Sequence, residues 1–255
     1  MSDKFRVNSR YQARIPVMRL TLVLLACAAQ FIGTASGASA GAAELRVTYQ
    51  EVRSSSVASA AALMRRVARR ERSAIQGSCG ATGPSNVQIL QEIGRAERWV
   101  LLAWTCEALN PGVQLANAEF SALEALQVAP VQVLLHHELT GVTGTQRAAW
   151  AGLGVTHNVI YEVTHVDIGG PGASLSDIDN AIREYISAAR AAAGNLRAEA
   201  WRLDGHANHS TLLFVWNTQA ARGRFAAGAD THRFRGQIAQ GLGAPYDDRL
   251  YRRID

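Results

Sequence analysis

All seven histidines of this 255-residue chain lie at or after His136, at positions 136, 137, 157, 165, 206, 209 and 232. An imidazole titrates close to neutral pH, so histidine is the side chain best suited to act as a general base. His165 sits near the end of the alternating, β-branched run Val159–Val166, which also carries Tyr161. Asn208 and His209 open the apolar run Ser210–Trp216, which holds Phe214 and Trp216. His232 precedes Arg233 and Phe234, and Tyr246 lies close to the C-terminus. Other chemistries find little support. Gly169-Gly170-Pro171-Gly172 lacks the strand–glycine–helix context and the lysine of a phosphate loop, and reads as a turn. There is no CxxC and no cysteine–histidine spacing for a metal. The neighbours His136 and His137 face opposite sides of a strand and so cannot share one ion.

The elements that would position these residues follow from hydrophobic period and turn signals. Val159–Val166 reads as a strand. Ser174 or Ser176 caps a helix to about Ala193, with Ile178, Ile182, Tyr185, Ile186 and Ala189 at helical spacing and Gly194-Asn195 at its end. Leu196–Leu203 and Ser210–Trp216 are strands joined at Asp204-Gly205; Gln219–Leu242 is helix-rich, and Arg249–Ile254 is a final strand. The order is β-α-β-β-α-β, a ferredoxin-like unit. The first half repeats it: strand Leu45–Val52, helix Val57–Ile75, strands Val87–Glu92 and Trp99–Trp104, helix Ala116–Leu126, strand Val131–Glu138. Thr140–Gly154, with four glycines, falls between the copies.

Tyr49 and Tyr161 are 112 apart (161 − 49), as are Trp104 and Trp216 (216 − 104), and Phe120…Ala129-Pro130 echoes Phe234…Ala244-Pro245 at 114 to 115. On that alignment Arg53, Ala96, Glu97 and Ala118 stand at the places of His165, Asn208, His209 and His232. The first copy then reads as scaffold, and any active site belongs to residues 157–254. The expected fold is α+β: two tandem ferredoxin-like units packed sheet to sheet as an intramolecular dimeric α/β barrel, each burying the other's bare apolar face. The expected organisation is a targeting segment at 1–40, a degenerate domain at 45–139, a linker at 140–156 and a second domain at 157–255.

The net charge of +5 suggests nucleic acid only at first sight. Lys4, Arg6, Arg10, Arg14 and Arg19 stand against Asp3, leaving 21 basic (26 − 5) and 20 acidic (21 − 1) residues elsewhere. Without a basic field there is little counterion-release affinity for phosphate backbones, so nucleic acid is not an expected partner. The cluster Arg65-Arg66, Arg69-Arg70 and Arg72 reads as a solvated helix face. The basic N-terminus leads into Leu20–Ala29 and then Ala38-Ser39-Ala40, the order of a signal peptide. Cleavage after Ala40 or Ala43 makes the protein exported, periplasmic or secreted, without an integral membrane span; Leu24-Leu25-Ala26-Cys27 as a lipoprotein box is the alternative. Cys79 and Cys106 then remain, either bridged or simply buried.

Residues 157–254 resemble the antibiotic-biosynthesis monooxygenase family, which includes quinol monooxygenases. The resemblance rests on Tyr161-Glu-Val-Thr-His165-Val-Asp, Gly194-Asn195-Leu196, Asn208-His209 with Phe214-Val215-Trp216, Thr231-His232-Arg-Phe234 and Tyr246-Asp-Asp-Arg-Leu250-Tyr251. It implies cofactor-free oxidation of a quinol or related aromatic, with O2 as co-substrate. Such a substrate supplies its own electrons, and the protein supplies a dry site, a base and donors for the anionic oxygen. The resemblance places catalysis on His165, Asn208, His209 and His232, and the substrate pocket on Tyr161, Phe214, Trp216 and Tyr246. Each has a structural alternative: a strand-face histidine, a turn asparagine, a helix-end histidine, a core aromatic. Family relatives leave two rival functions open, a non-catalytic binding or sensing protein and a haem-degrading oxygenase. Two such chains could also associate into a further homo-oligomer.

Overall fold

The computed structural model describes residues 43–79, 86–106, 122–123, 125–129, 132–139, 159–170, 174–244 and 247–254. The targeting segment, the linker, Tyr246, most of the expected helix Ala116–Leu126 and the side chains of Cys79 and Cys106 lie outside the described residues. No helix among those described is long and apolar enough to cross a membrane.

The first copy supplies β1 (Ala43–Glu51), α1 (Val57–Cys79), β2 (Asn86–Glu92), β3 (Arg98–Cys106) and β4 (Gln132–Glu138). The second supplies β5 (Ile160–Asp167), α2 (Leu175–Ala191), β6 (Asn195–Leu203), β7 (His209–Trp216), α3 (Gln219–Ala226), α4 (Ala229–Ile238) and β8 (Asp247–Arg253). Local signals account for the boundaries. Ser174 accepts a hydrogen bond from the Asp177 N–H at the start of α2, and Thr218 does the same for Ala221 at α3. Gly94 and Gly205 take positive φ of 87° and 74° in the hairpins β2–β3 and β6–β7, a conformation that favours glycine.

Each copy has strand order 4-1-3-2, as β4-β1-β3-β2 and β8-β5-β7-β6. The two sheets also join edge to edge, β2 to β8 and β4 to β6, and close one eight-stranded barrel. Closure leaves no sheet edge open. Moving four strands around it carries each strand onto its counterpart with direction kept, so the pseudo-two-fold axis is the barrel axis.

The paired registers correct the alignment read from the sequence. Val52 bridges Gln127 and Ile168 bridges Leu242, an offset of 116 for the first strands (168 − 52). The turn glycines give 111 for the middle strands (205 − 94). An offset of 115 for β4 and β8 then reproduces every β1–β4 and β5–β8 pair. Tyr49 is therefore the counterpart of His165, and Leu45 of Tyr161. Asn208 and His209 match Glu97 and Arg98, whereas Ala118, proposed as the match to His232, is not among the described residues. Trp104 and Trp216 are not equivalent: 112 differs from 111 by one residue, which flips a side chain to the other face of a strand. Trp104 is buried inside the barrel, whereas Trp216 is buried beneath the helices.

Three apolar layers result. Leu45, Val47, Leu90, Val100, Leu102, Tyr161, Val163, Trp201, Leu213, Val215 and Tyr251 fill the barrel. Outside it, α1 covers Val87, Ile89, Trp99 and Leu101, and α2 to α4 cover Leu212, Phe214 and Trp216. In the arginine-rich run, Arg65 donates to the Ile254 carbonyl and Arg72 to that of Val87.

Candidate functional site

Alternation along β7 decides which functional side chains meet. His209, Thr211, Leu213 and Val215 point into the barrel; Ser210, Leu212, Phe214 and Trp216 point toward the helices. His165 on β5 is paired in register with Thr211 and also points inward. From the opposite wall, the Tyr49 hydroxyl lies 2.5 Å from His165 Nε2. These two residues occupy equivalent places in the two copies, so they meet on the pseudo-symmetry axis. Two identical copies would have to place the same residue twice there; divergence after duplication puts a phenol against an imidazole.

The contacts continue from there. His165 Nδ1 is 3.2 Å from Thr211 Oγ1, which is 2.9 Å from His136 Nε2. His136 Nδ1 is 3.3 Å from the Leu45 carbonyl oxygen. His136 is fully buried, and burial lowers its pKa to about 4, so the ring is neutral at pH 7. His209 stands at the end of β7, its ring centroid 5.4 Å from that of His165. Its Nε2 is buried and makes no hydrogen bond, and burial lowers its pKa despite Asp167 nearby. A neutral imidazole nitrogen held buried and unbonded is costly to leave so.

Inward-facing β6 carries a second polar cluster. Arg197 Nε donates to Glu199 at 2.5 Å, and Trp201 Nε1 donates to the other carboxylate oxygen at 3.1 Å. The Arg197 guanidinium lies 5.4 Å from the centre of the Trp104 ring. Burial raises the Glu199 carboxyl to about 7, against the pull of Arg197. Both carboxylate oxygens are engaged within this buried ion pair.

The remaining expected site residues fall elsewhere. Phe214 and Trp216 belong to the layer between sheet and helices, on the opposite face of β7 from His209. There Tyr185 stacks on Phe234 at 4.2 Å and on Phe225 at 5.3 Å, while Trp216 Nε1 donates to Glu162. Asn208 is exposed and donates from Nδ2 to the Ile168 carbonyl at 3.0 Å, closing the turn before β7. His232 is exposed on α4, one residue beyond the buried Thr231. Tyr161 does face the barrel interior, buried among Val163, Val215 and Tyr251. Of the residues named from sequence, the structure thus gathers His165, His209 and Tyr161 inside the barrel and separates Asn208, His232, Phe214 and Trp216 from them.

Sequence reasoning missed Tyr49, His136 and Thr211. Tyr49 was only a marker of the repeat, and His136 was set aside with its neighbour. Strand parity was the available signal, because His136 alternates with Leu134, and Thr211 with Leu213, on barrel-facing positions. The correction matters for function: two of the four linked side chains belong to the copy read as scaffold. Among the described residues no group of three or more His, Cys, Asp or Glu side chains is arranged to hold a metal.

No protein-family model matches the sequence, and no curated protein matches it. Solved structures do. Two proteins named as putative monooxygenases match with 8% identity: one from Lactobacillus acidophilus NCFM with a TM-score of 0.58, and one from Fusobacterium nucleatum subsp. nucleatum ATCC 25586 with 0.64. They cover 83% and 84% of this chain and 94% of their own. An anthrone oxidase-like protein matches with 9% identity and a TM-score of 0.58, over 85% of this chain and 93% of its own. At such identities the likeness is one of fold, and it spans both copies in a single chain. By fold, this protein is a tandem dimeric α/β barrel, the architecture of these monooxygenase-named and anthrone oxidase-like chains.

Proposed function

We propose that the chain is a cofactor-free monooxygenase that oxidises a quinol or a related electron-rich aromatic with O2. The observation that carries this reading is the buried, unbonded Nε2 of His209 beside the Tyr49–His165 pair. It supplies a proton acceptor shielded from water beside a phenol–imidazole pair. In the proposed reaction a substrate hydroxyl gives its proton to His209. The resulting anion passes one electron to O2, and the two radicals combine to form a carbon–oxygen bond. Loss of water from the hydroperoxide leaves the hydroxylated quinone. All four electrons that reduce O2 come from the substrate: one oxygen atom enters the ring and the other leaves as water. The imidazolium so formed at His209 donates to the substrate oxygen while it is anionic, and Tyr49, held by His165, forms the facing wall of the site. The monooxygenase names among the structural neighbours agree with this reading at the level of fold. Export, from the basic and apolar N-terminal segment, is part of the proposal and is checked by sequencing the N-terminus of the protein isolated from its native host.

Oxygen uptake with a broad panel of reduced quinones and anthrone-like phenols tests the function. Uptake above the spontaneous rate, with one oxygen atom from labelled O2 in the product, supports it. No uptake across the panel overturns it. Tight binding of a quinol without turnover would make the protein a binder instead. A Soret shift followed by bleaching on titration with haem would make it haem-degrading.

A further inference from the structure

We propose that His136 and Thr211 are positioning residues that hold His165 as its Nδ1–H tautomer, leaving its Nε2 to accept the Tyr49 hydroxyl proton. The order of donors follows from one end of the chain of contacts. A carbonyl oxygen only accepts, so the His136 nitrogen facing the Leu45 carbonyl, Nδ1, carries the hydrogen. His136 is fully buried, which lowers its pKa to about 4 against the pull of Asp204, so its ring is neutral and Nε2 is a bare acceptor. The Thr211 hydroxyl has a single proton and gives it to that nitrogen at 2.9 Å. Its oxygen is then an acceptor for His165 at 3.2 Å, which requires hydrogen on His165 Nδ1. His165 Nε2 is left as the acceptor for Tyr49 at 2.5 Å. A main-chain carbonyl in the first copy thus fixes the protonation pattern of a histidine in the second.

Pseudo-symmetry shows that the arrangement is specific. The counterparts of Thr211 and His136 are Val100 and Tyr251, and Val100 has no hydroxyl to pass on a hydrogen bond. The relay therefore exists once, and it polarises the Tyr49–His165 pair in one direction, with the phenol as donor. The role of this polarity in turnover rests on the oxygenase reading above; the tautomer itself is a property of the resting protein.

The test reads the imidazole nitrogens directly. In 1H–15N spectra of the full chain at pH 7, His136 and His165 are both expected as neutral Nδ1–H tautomers. An Nε2–H tautomer or an imidazolium at His165 in the unsubstituted protein overturns the proposal, whatever the enzyme assay gives. In Thr211→Val, His165 is expected to lose the single tautomer, and Thr211→Ser to keep it; an unchanged His165 in Thr211→Val also overturns the proposal. If quinol turnover is found, Thr211→Val is expected to lower kcat by roughly 10- to 100-fold with little change in KM, and Thr211→Ser to restore it. A tautomer result as expected with no turnover by any substrate leaves the relay standing and sinks the oxygenase reading alone.

Discussion

The two copies differ most where they are most alike in position. On the barrel axis, Tyr49 of the first copy faces His165 of the second. Beside them Val100 corresponds to Thr211, and Tyr251 to His136. At the mouth, Arg98 is drawn into ion pairs with Glu51 and Glu92, where its counterpart His209 presents an imidazole. Outside the barrel the same divergence takes an electrostatic form. Arg46 on β1 reaches Glu71 on α1, whereas at the equivalent place Glu162 on β5 is met by Arg222 from α3. The sign of each partner is exchanged and the bridge between sheet and helix is kept. A homodimer cannot do this, because any change appears in both subunits. Fusing the copies lets each wall of the barrel specialise, and the result is one composite site instead of two equal ones.

The sharpest way to break that comparison is to substitute both walls and measure quinol-dependent oxygen uptake. His209→Ala, in the second copy, is expected to cost roughly 100-fold or more in kcat, the usual scale of a lost general base. Tyr49→Phe, in the other copy, is expected to cost at least about tenfold. An unaffected Tyr49→Phe would return the first copy to the status of scaffold.

The exchanged ion pairs come next. Glu71 and Glu162 keep only 2% and 5% of their side-chain surface exposed, so removing either arginine strands a buried carboxylate. Arg46→Ala and Arg222→Ala are each expected to lower the unfolding free energy by about 3–5 kcal/mol in urea titrations at pH 7. Burial raises the Glu71 pKa even with Arg46 in place. Its folded value lies above the unfolded one, so its contribution is largest at low pH and falls as pH rises. The cost of Arg46→Ala is therefore expected to shrink on acidification; a cost that grew would contradict the buried-charge account.

A third experiment isolates His136. Its folded pKa of about 4 lies below its ordinary value of 6.5, so its contribution is complete above pH 6.5 and is lost as pH falls toward 4. That difference corresponds to about 3 kcal/mol. Glu199, with its pKa raised to about 7, changes in the opposite sense over the same range. The measurement is therefore the difference between the unsubstituted chain and His136→Leu, which is expected to lose less stability between pH 6.5 and 4. Equal losses would mean that His136 is not held neutral.

The smallest effects are expected at residues that the sequence placed in the site and the fold set apart from it. Asn208→Ala is expected to cost about 1 kcal/mol through its hydrogen bond to Ile168, without a specific loss of turnover. His232→Ala, exposed on α4, is expected to stay within about 0.5 kcal/mol and to leave activity unchanged. A large loss of activity in either would move the site toward the helix face.

Much of the architecture was readable because strands and helices here announce themselves locally. Alternation marked β5, an apolar run marked β7, Ser174 or Ser176 marked a helix start, and the duplicated order β-α-β-β-α-β implied two units burying one another. The site was legible only in part. His165 and His209 were identified as chemistry-bearing residues, but Phe214 and Trp216 were grouped with them although they point the other way. Matching aromatic residues by spacing gave offsets of 112 where pairing gives 116 and 111. Insertions of a few residues in hairpins and loops shift such matches without erasing them, and an odd shift exchanges the faces of a strand.

The sequence by itself determined which side chains have the chemistry, that the chain is a repeat, and which segments form sheet and helix. These are local properties, set by side-chain type and by periods of two and 3.6. Only the tertiary structure decided that Tyr49 meets His165, because the two lie 116 residues apart and are brought together by barrel closure. Register, an odd or even matter of single residues summed around eight strands, chose which side chains face one another across the axis.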